Sequence, residues 1–161
     1  MSALRGLAED LGYADVESIL QSGNLLFNAG GRHATVRLEA QLEAEVARRL
    51  NLETHILVRS SDEWTEIVKG NPFEKEARVD PGHLVLMCLK GPAAGSDVKA
   101  LQASIAGPER VRVAGRHLYI TYPAGMGPSK LTNALIERKL GTSGTARNWN
   151  TVRKIAERLG K

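Results

Sequence analysis

The feature that most constrains the fold is an unbroken apolar run in residues 83–89, which read HLVLMCL. Successive side chains of a β-strand point to opposite faces of the sheet, so a strand of this composition must be covered on both faces. A short apolar run bounded by turn-forming residues is typical of a strand inside a sheet. We therefore predict that residues 83–89 form a central strand with other strands on both sides.

The segments after this run predict a defined order of elements. SDVKALQASI has helical spacing, and ERVRV and RHLYITY predict a hairpin about Ala114-Gly115. SKLTNALIERKL predicts a helix that Ser129 opens after Pro128, and a last helix is predicted over residues 148–159. Strand, helix, strand, strand, helix is the beginning of the ferredoxin-like βαββαβ unit.

The first part of the chain has a similar order without an opening strand. ALRGLAEDL predicts an amphipathic helix. SILQSGNLLFNA predicts a hairpin whose tight turn at Gly23-Asn24 would place Leu20 opposite Phe27. ATVRLEAQLEAEVARRL then predicts a long helix, and residues 54–59, THILVR, a strand.

These patterns predict an α+β fold of two ferredoxin-like halves with mainly antiparallel sheets. The halves are residues 1–80 and 81–161; the first lacks its first strand, and the second carries an extra C-terminal helix. The apolar and charged fractions, 42% and 25%, are those of ordinary globular proteins. No apolar run approaches the roughly 18 residues of a membrane span, and the single cysteine, Cys88, excludes an internal disulfide. We expect a cytoplasmic protein that does not bind membranes.

Positive charge is concentrated at the end of the sequence. Residues 128–161 contain 8 Lys and Arg against 2 Asp and Glu, a net charge of +6. The preceding residues contain 14 against 16, a net charge of −2, so the basic character of the chain comes from its last fifth. Such a segment either attracts phosphates, nucleic acid or acidic partners, or forms a solvated basic helix.

The stretch GMGPSK, residues 125–130, is the first candidate anion site. It contains Gly125 and Gly127 and ends in Ser129 and Lys130, at the predicted start of a helix. Free backbone N–H groups, a hydroxyl and an ammonium would together suit a phosphate or carboxylate. The alternative is that Ser129 is only the N-cap of that helix.

The stretch GTARNWNTVRKI, residues 144–155, is the second candidate. Trp149 begins an apolar stripe with Val152, Ile155, Ala156 and Leu159, which predicts a core anchor. Arg147, Asn148, Asn150 and Thr151 are left beside the helix start, where they could bind an oxyanion. We predict that the two stretches share one anion pocket.

No catalytic residue, metal ligand or cofactor is predicted. The histidines have no second ligand at metal-binding spacing; they are His33, His55, His83 and His117. Cys88 lies in the most apolar strand, where burial would make the thiol unreactive.

The outer face of the second predicted hairpin has two interpretations. It carries Arg110, Arg112, His117, Tyr119 and Thr121. A basic sheet face with an aromatic residue could stack RNA bases, as ferredoxin-like RNA-binding modules do. Alternatively, the other half of the chain covers this face.

Four stretches resemble a known bacterial family. LGYADVESILQSGNLLF, NPF, GMGPSKLTNALIERKLGT and TARNWNTVRKI are similar to the domain of unknown function DUF 1697, over essentially the whole chain. The resemblance implies a cytoplasmic α+β protein and no particular activity. Members usually have a first strand and a glycine-rich loop before the first helix, both absent here, and often an Arg at the position of Pro128.

Three functional hypotheses follow. The first is a binding protein that holds an anionic, phosphate-bearing small molecule or a nucleic-acid strand on its basic C-terminal segment. The second is an enzyme acting on a phosphorylated small molecule, with Lys130 and Arg147 stabilising charge. The third is an oligomerising protein with an acidic partner.

The missing strand adds one structural expectation. Either the hairpin pairs directly with residues 54–59, or a second copy of the chain fills the gap in a homodimer.

Overall fold

The computed structural model describes residues 2–20 and 23–160, which divide into two compact units. One unit comprises the residues up to Ser61 together with those from Arg158; the other is Asp62–Glu157. The predicted class, helices with antiparallel sheets, is confirmed. Residues 62–80, which the prediction grouped with the first half, belong to the second compact unit.

The first unit consists of two helices and a hairpin. The elements are α1 (Ser2–Asp10), β1 (Ala14–Ile19), β2 (Asn24–Asn28) and α2 (Thr35–Leu50). Apolar residues at helical spacing on α1 and α2 meet the hairpin in a common core, which contains Leu7, Ala8, Tyr13, Val16, Leu38, Leu42 and Val46. This burial is what orients α2 and its acidic side chains towards the segment that follows.

The hairpin forms, but its register differs from the predicted one. Ile19 pairs with Asn24, so Asn24 is a strand residue and not half of a two-residue turn. Leu20 and Gly23 have φ values of 60° and 82°, a left-handed conformation that belongs to the connection between the strands. The predicted pairing of Leu20 with Phe27 is therefore wrong. Residues 21 and 22 of the QSGN motif lie outside the described residues.

Residues 54–59, predicted as a strand, join neither sheet. The backbone N–H of Ile56 donates to Oε1 of Glu43 at 2.9 Å, and that of Val58 donates to Oε2 of Glu39 at 2.8 Å. The carboxylates of α2 therefore accept the hydrogen bonds that a neighbouring strand would otherwise accept. Ile56 and Val58 pack against the core of this unit, but the segment lies alongside a helix and is not the predicted strand.

The second unit is a four-stranded antiparallel sheet with helices on both faces. Its helices are α3 (Ser61–Lys69), α4 (Glu74–Val79), α5 (Gly95–Ala103), α6 (Asn133–Leu140) and α7 (Trp149–Leu159). Its strands are β3 (Leu84–Leu89), β4 (Arg110–Ala114), β5 (His117–Thr121) and β6 (Gly144–Asn148), and a 3-10 turn, Pro81–His83, precedes β3.

The strand order is β4-β5-β3-β6. The predicted central strand is confirmed, because β3 has β5 on one side and β6 on the other and all six of its residues are buried. β6 was not predicted: GTARN contains a glycine and polar residues and carries no apolar alternation. It forms a strand because β3 offers it a free edge, and it completes the βαββαβ unit.

The two faces of this sheet have different covers. Val85, Met87 and Leu89 point to the face on which α5 and α6 pack, in a core that includes Leu101 and Ile136. The opposite face is covered by α3 and α7. There the Tyr119 hydroxyl donates to the carbonyl of Ile67 at 2.8 Å, and Nε1 of Trp64 donates to the carbonyl of Val152 at 3.2 Å.

Candidate functional site

Hydrogen bonds hold both ends of the loop that follows β5, residues 122–131. The backbone N–H of Tyr122 donates to the carbonyl of His83 at 2.8 Å, and the Tyr122 hydroxyl donates to the carbonyl of Leu131 at 2.9 Å. Burial, followed by the charge of Glu109, raises the pKa of Tyr122 to about 12, so this phenol stays neutral and donates. We call residues 122–131 the sheet-end loop.

The helix after this loop begins later than predicted. α6 starts at Asn133, and Oγ1 of Thr132 accepts the capping hydrogen bond from the N–H of Leu135 at 3.2 Å. Ser129 is therefore not an N-cap: its hydroxyl donates to Oε1 of Glu109 and accepts from the N–H of Leu131. The prediction that Ser129 and Lys130 lie at a helix start is wrong, because Thr132 caps the helix instead.

The sheet-end loop nevertheless presents several hydrogen-bond donors. Among the described residues, no acceptor pairs with the backbone N–H groups of Met126, Gly127 and Lys130. These donors lie within five consecutive residues, directly after Gly125, whose φ of 87° marks a turn of the chain. The Lys130 side chain is exposed, and no described residue pairs with its ammonium. Adjacent N–H groups with an ammonium can receive an anion.

His83 adjoins this loop, and sequence reasoning did not select it. A Cβ placed on Gly125 would lie 3.9 Å from Nε2 of His83, and Nδ1 of the same ring lies 3.0 Å from Oδ2 of Asp80. An ionised carboxylate only accepts hydrogen bonds, so Asp80 orients the ring with Nδ1 as the donor. A signal for this pair exists in the sequence: Asp80 and His83 are three residues apart around Pro81.

The second predicted group is divided between β6 and α7. Arg147 lies on β6, and its guanidinium donates to Oγ1 of Thr145 at 2.7 Å and to the carbonyl of Ala146 at 2.8 Å. Burial lowers the pKa of Arg147. Thr145 is further from α7 than Arg147 is, so the guanidinium extends away from the helix start.

The remaining three residues of this group lie at the start of α7. Oδ1 of Asn148 accepts from the N–H of Thr151 at 3.1 Å, so Asn148 caps α7, and the helix begins next to the predicted start at residue 148. Asn150 is exposed and Thr151 is half-buried. Trp149 is buried, as predicted, at 3% exposure.

The strand pairings bring the two predicted stretches to one end of the sheet. Thr121, the last residue of β5, pairs with Leu84, and Asn148, the last residue of β6, pairs with Val85. The sheet-end loop and the start of α7 thus leave on either side of the beginning of β3. Strands two positions apart are separated by about 10 Å, and His83 lies between these two. The structure brings Asn148 to this end with the loop, but it does not bring the guanidinium of Arg147 there.

The outer face of the β4–β5 hairpin is covered on its β5 side, whereas Arg110 and Arg112 on β4 are exposed. Tyr119 and Thr121 are 2% and 3% exposed, and the Tyr119 ring lies 6.3 Å from that of Trp149. Burial first, and then the nearby Cys88, raises the pKa of Tyr119 to about 12. A buried ring cannot stack on a base, so this face does not form the RNA platform that the sequence suggested as one alternative.

In the described residues, no group of three His, Cys, Asp or Glu side chains is arranged to hold a metal ion.

The comparisons with known proteins define the family. The sequence profile described as "Protein of unknown function (DUF1697)" matches residues 1–119. The chain belongs to this family. DUF1697 membership confirms the resemblance seen in the sequence. Asp80 and His83 lie inside the matched range, and the sheet-end loop lies after it.

A solved structure gives independent support for the fold. The chain is similar to the conserved bacterial protein SP0830 from Streptococcus pneumoniae, with a TM-score of 0.73 and 19% sequence identity. The similarity covers 99% of this chain and 88% of that one. At this identity the likeness supports the fold alone.

No curated protein is similar enough to match. In the described part of this DUF1697 chain, no helix has the length and apolar character needed to cross a membrane.

Proposed function

We propose that this protein is a cytoplasmic binding protein that holds a phosphate-bearing ligand at the end of the second sheet. The observation that carries the proposal is the group of donors on the sheet-end loop: the N–H groups of Met126, Gly127 and Lys130 and the Lys130 ammonium. His83 extends this group on the side of β3. Backbone N–H groups and ammonium groups are the hydrogen-bond donors that commonly bind phosphate in proteins.

The distribution of charge favours a compact anion over an extended nucleic-acid strand. Residues 128–161 carry a net charge of +6, but α6 packs on one face of the sheet and α7 on the other. Their basic side chains therefore do not line one continuous groove. A nucleic-acid strand needs such a groove together with aromatic stacking partners, so we propose the compact anion as the ligand.

The test is binding of inorganic phosphate, measured by calorimetry and by the thermal shift of the full chain. We expect Lys130→Ala to weaken binding about tenfold, the effect of losing one hydrogen bond to a charged group. The matched control is Lys139→Ala, which removes an exposed Lys from the last turn of α6. Equal weakening by both variants would mean diffuse attraction to basic charge, and the proposed site would be wrong.

One observation favours a second function, an enzyme that acts on a phosphorylated small molecule. The Asp80–His83 pair has the geometry of an oriented general base or acid, with Nε2 on the side of Gly125. Lys130 could stabilise charge in such a reaction, whereas the guanidinium of Arg147 is directed elsewhere. If this function is correct, the protein releases inorganic phosphate from a phosphate monoester and His83→Gln abolishes the release. If wild type releases none, the binding function stands alone.

A further inference from the structure

A cleft of about 320 Å³ opens beside the sheet-end loop, on the sheet face that α5 and α6 cover. This volume is at the lower end of the range for small-molecule sites. Its apolar wall is formed by the side chains of Ile105, Pro108, Leu131 and Leu135. Among the described residues, no aromatic side chain lines it, so it offers no stacking surface for a base.

The cleft contains one carboxylate, that of Glu109. Oε1 of Glu109 accepts from the Ser129 hydroxyl, and the carboxyl group folds back over Gly107, where a Cβ would clash with Oε2. Glu109 also adds to the raised pKa of Tyr122, next to the same wall. A half-buried carboxylate with a single hydrogen bond among the described residues can accept further donors.

The opposite charge in the cleft is that of Lys130, which is exposed. Glu109 and Lys130 form no ion pair with each other, and no described residue pairs with the Lys130 ammonium. The cleft therefore presents a carboxylate and an ammonium that do not neutralise each other, together with an apolar wall. These are the complements of a cationic group, an anionic group and a short hydrocarbon.

We infer that the cleft binds a small amine-bearing phosphate ester, with its ammonium on Glu109 and its phosphate on Lys130 and the sheet-end loop. The inference rests on the proposed function for the phosphate, and it adds the ammonium and the size limit. A polyphosphate or nucleic-acid strand would bring further negative charge close to Glu109, which disfavours it. An ester without the amine would leave the carboxylate without its charged partner.

The test compares two probes that differ only in the amine. 3-Aminopropyl phosphate and propyl phosphate are titrated into the full chain by calorimetry. We expect the amine-bearing ester to bind about tenfold more tightly, as expected for one charge-assisted hydrogen bond. Glu109→Gln should remove this preference without weakening the binding of propyl phosphate. Glu74→Gln, which alters an exposed carboxylate on α4, should retain the preference.

A second variant tests the position of the carboxylate without removing its charge. Gly107→Ala should push the Glu109 carboxyl group out of its pose and reduce the preference, while circular dichroism reports an unchanged fold. Equal binding of the two esters to wild type would overturn the role of Glu109 and leave the proposed phosphate site intact. Failure of both esters and of inorganic phosphate to bind would overturn the proposed function itself. Tighter binding of single-stranded RNA, unaffected by Glu109→Gln, would overturn the small-molecule class.

Discussion

Two extended apolar segments, β3 in the second unit and residues 54–59 in the first, are held in different ways. β3 pairs with β5 and β6, so its hydrogen bonds belong to two ladders. In residues 54–59, the N–H groups of Ile56 and Val58 donate to glutamate carboxylates of α2. An extended segment can therefore be held either by many backbone partners or by a few charged side chains.

This difference determines which interactions the stability of each unit depends on. The first unit relies on Glu39, which is 1% exposed, accepts from Val58 and lies 3.6 Å from the guanidinium of Arg59. Removing one partner of a buried ion pair is strongly destabilising, because the other charge stays buried. The second unit relies on apolar side chains that cover both faces of its sheet. We expect single substitutions to separate these two modes.

The largest expected effect is that of Trp149→Ala in the second unit. Trp149 is 3% exposed beside Tyr119, so its removal leaves a cavity between α7 and the sheet. We expect a loss of about 3–5 kcal/mol in the free energy of unfolding, measured by urea denaturation with near-ultraviolet circular dichroism. Asn150→Ala, at the neighbouring exposed position, is the control and should melt like wild type. A Trp149→Ala protein with wild-type stability and altered phosphate binding would reverse the assignment of Trp149 as an anchor.

The next effect is that of Glu39→Ala in the first unit, where we expect a loss of about 3 kcal/mol because Arg59 stays buried without this partner. The matched control is Glu43→Ala, which removes the acceptor of Ile56 from a half-buried position and should cost about 1 kcal/mol. Chemical denaturation measures both. If the two variants cost the same, Glu39 has no special role, and the contrast between the units would be lost.

The sequence predicted the elements whose signals are local. The apolar run of β3, the β4–β5 hairpin and the burial of Trp149 all follow from side-chain pattern, and all are observed. Residues 54–59 show the limit of pattern alone. THILVR has the composition of a strand, but a strand also requires a partner, and the α2 carboxylates take that place.

The unpredicted features depend on distant residues. β6 has no apolar alternation and is a strand because it borders β3. Ser129 resembles an N-cap in sequence, but the cap of α6 is Thr132, three positions later, and the Ser129 hydroxyl donates to Glu109 instead. His83 carries no spacing signal for metal binding, and its proximity to Gly125 follows only from the pairing of β3 with β5.

Amide hydrogen exchange should show the same contrast without mutation. We expect β3 amides to exchange only through global unfolding of the second unit, and those of Ile56 and Val58 to exchange faster through local opening. In the described residues β1 pairs with β2 alone, and an open strand edge recruits other chains. The homodimer predicted through the first half would therefore slow exchange in residues 14–19 as protein concentration rises. A monomeric mass by light scattering at every concentration, with unchanged exchange, would contradict it.

The smallest effect is confined to alkaline pH and concerns the three tyrosines. Burial raises the pKa of Tyr13 in the first unit, and it raises the pKa of Tyr119 and Tyr122 in the second to about 12. Because the folded pKa values exceed the value of about 10 in the unfolded chain, the unfolded state releases these protons first. The stabilisation is fully present below pH 10 and is lost as pH rises towards 12. Absorbance at the phenolate band should show Tyr13 titrating before the other two, with Tyr13→Phe removing the early step. Three phenols titrating together near pH 10 in the folded protein would mean that the sheet of the second unit does not bury Tyr119 and Tyr122 as described.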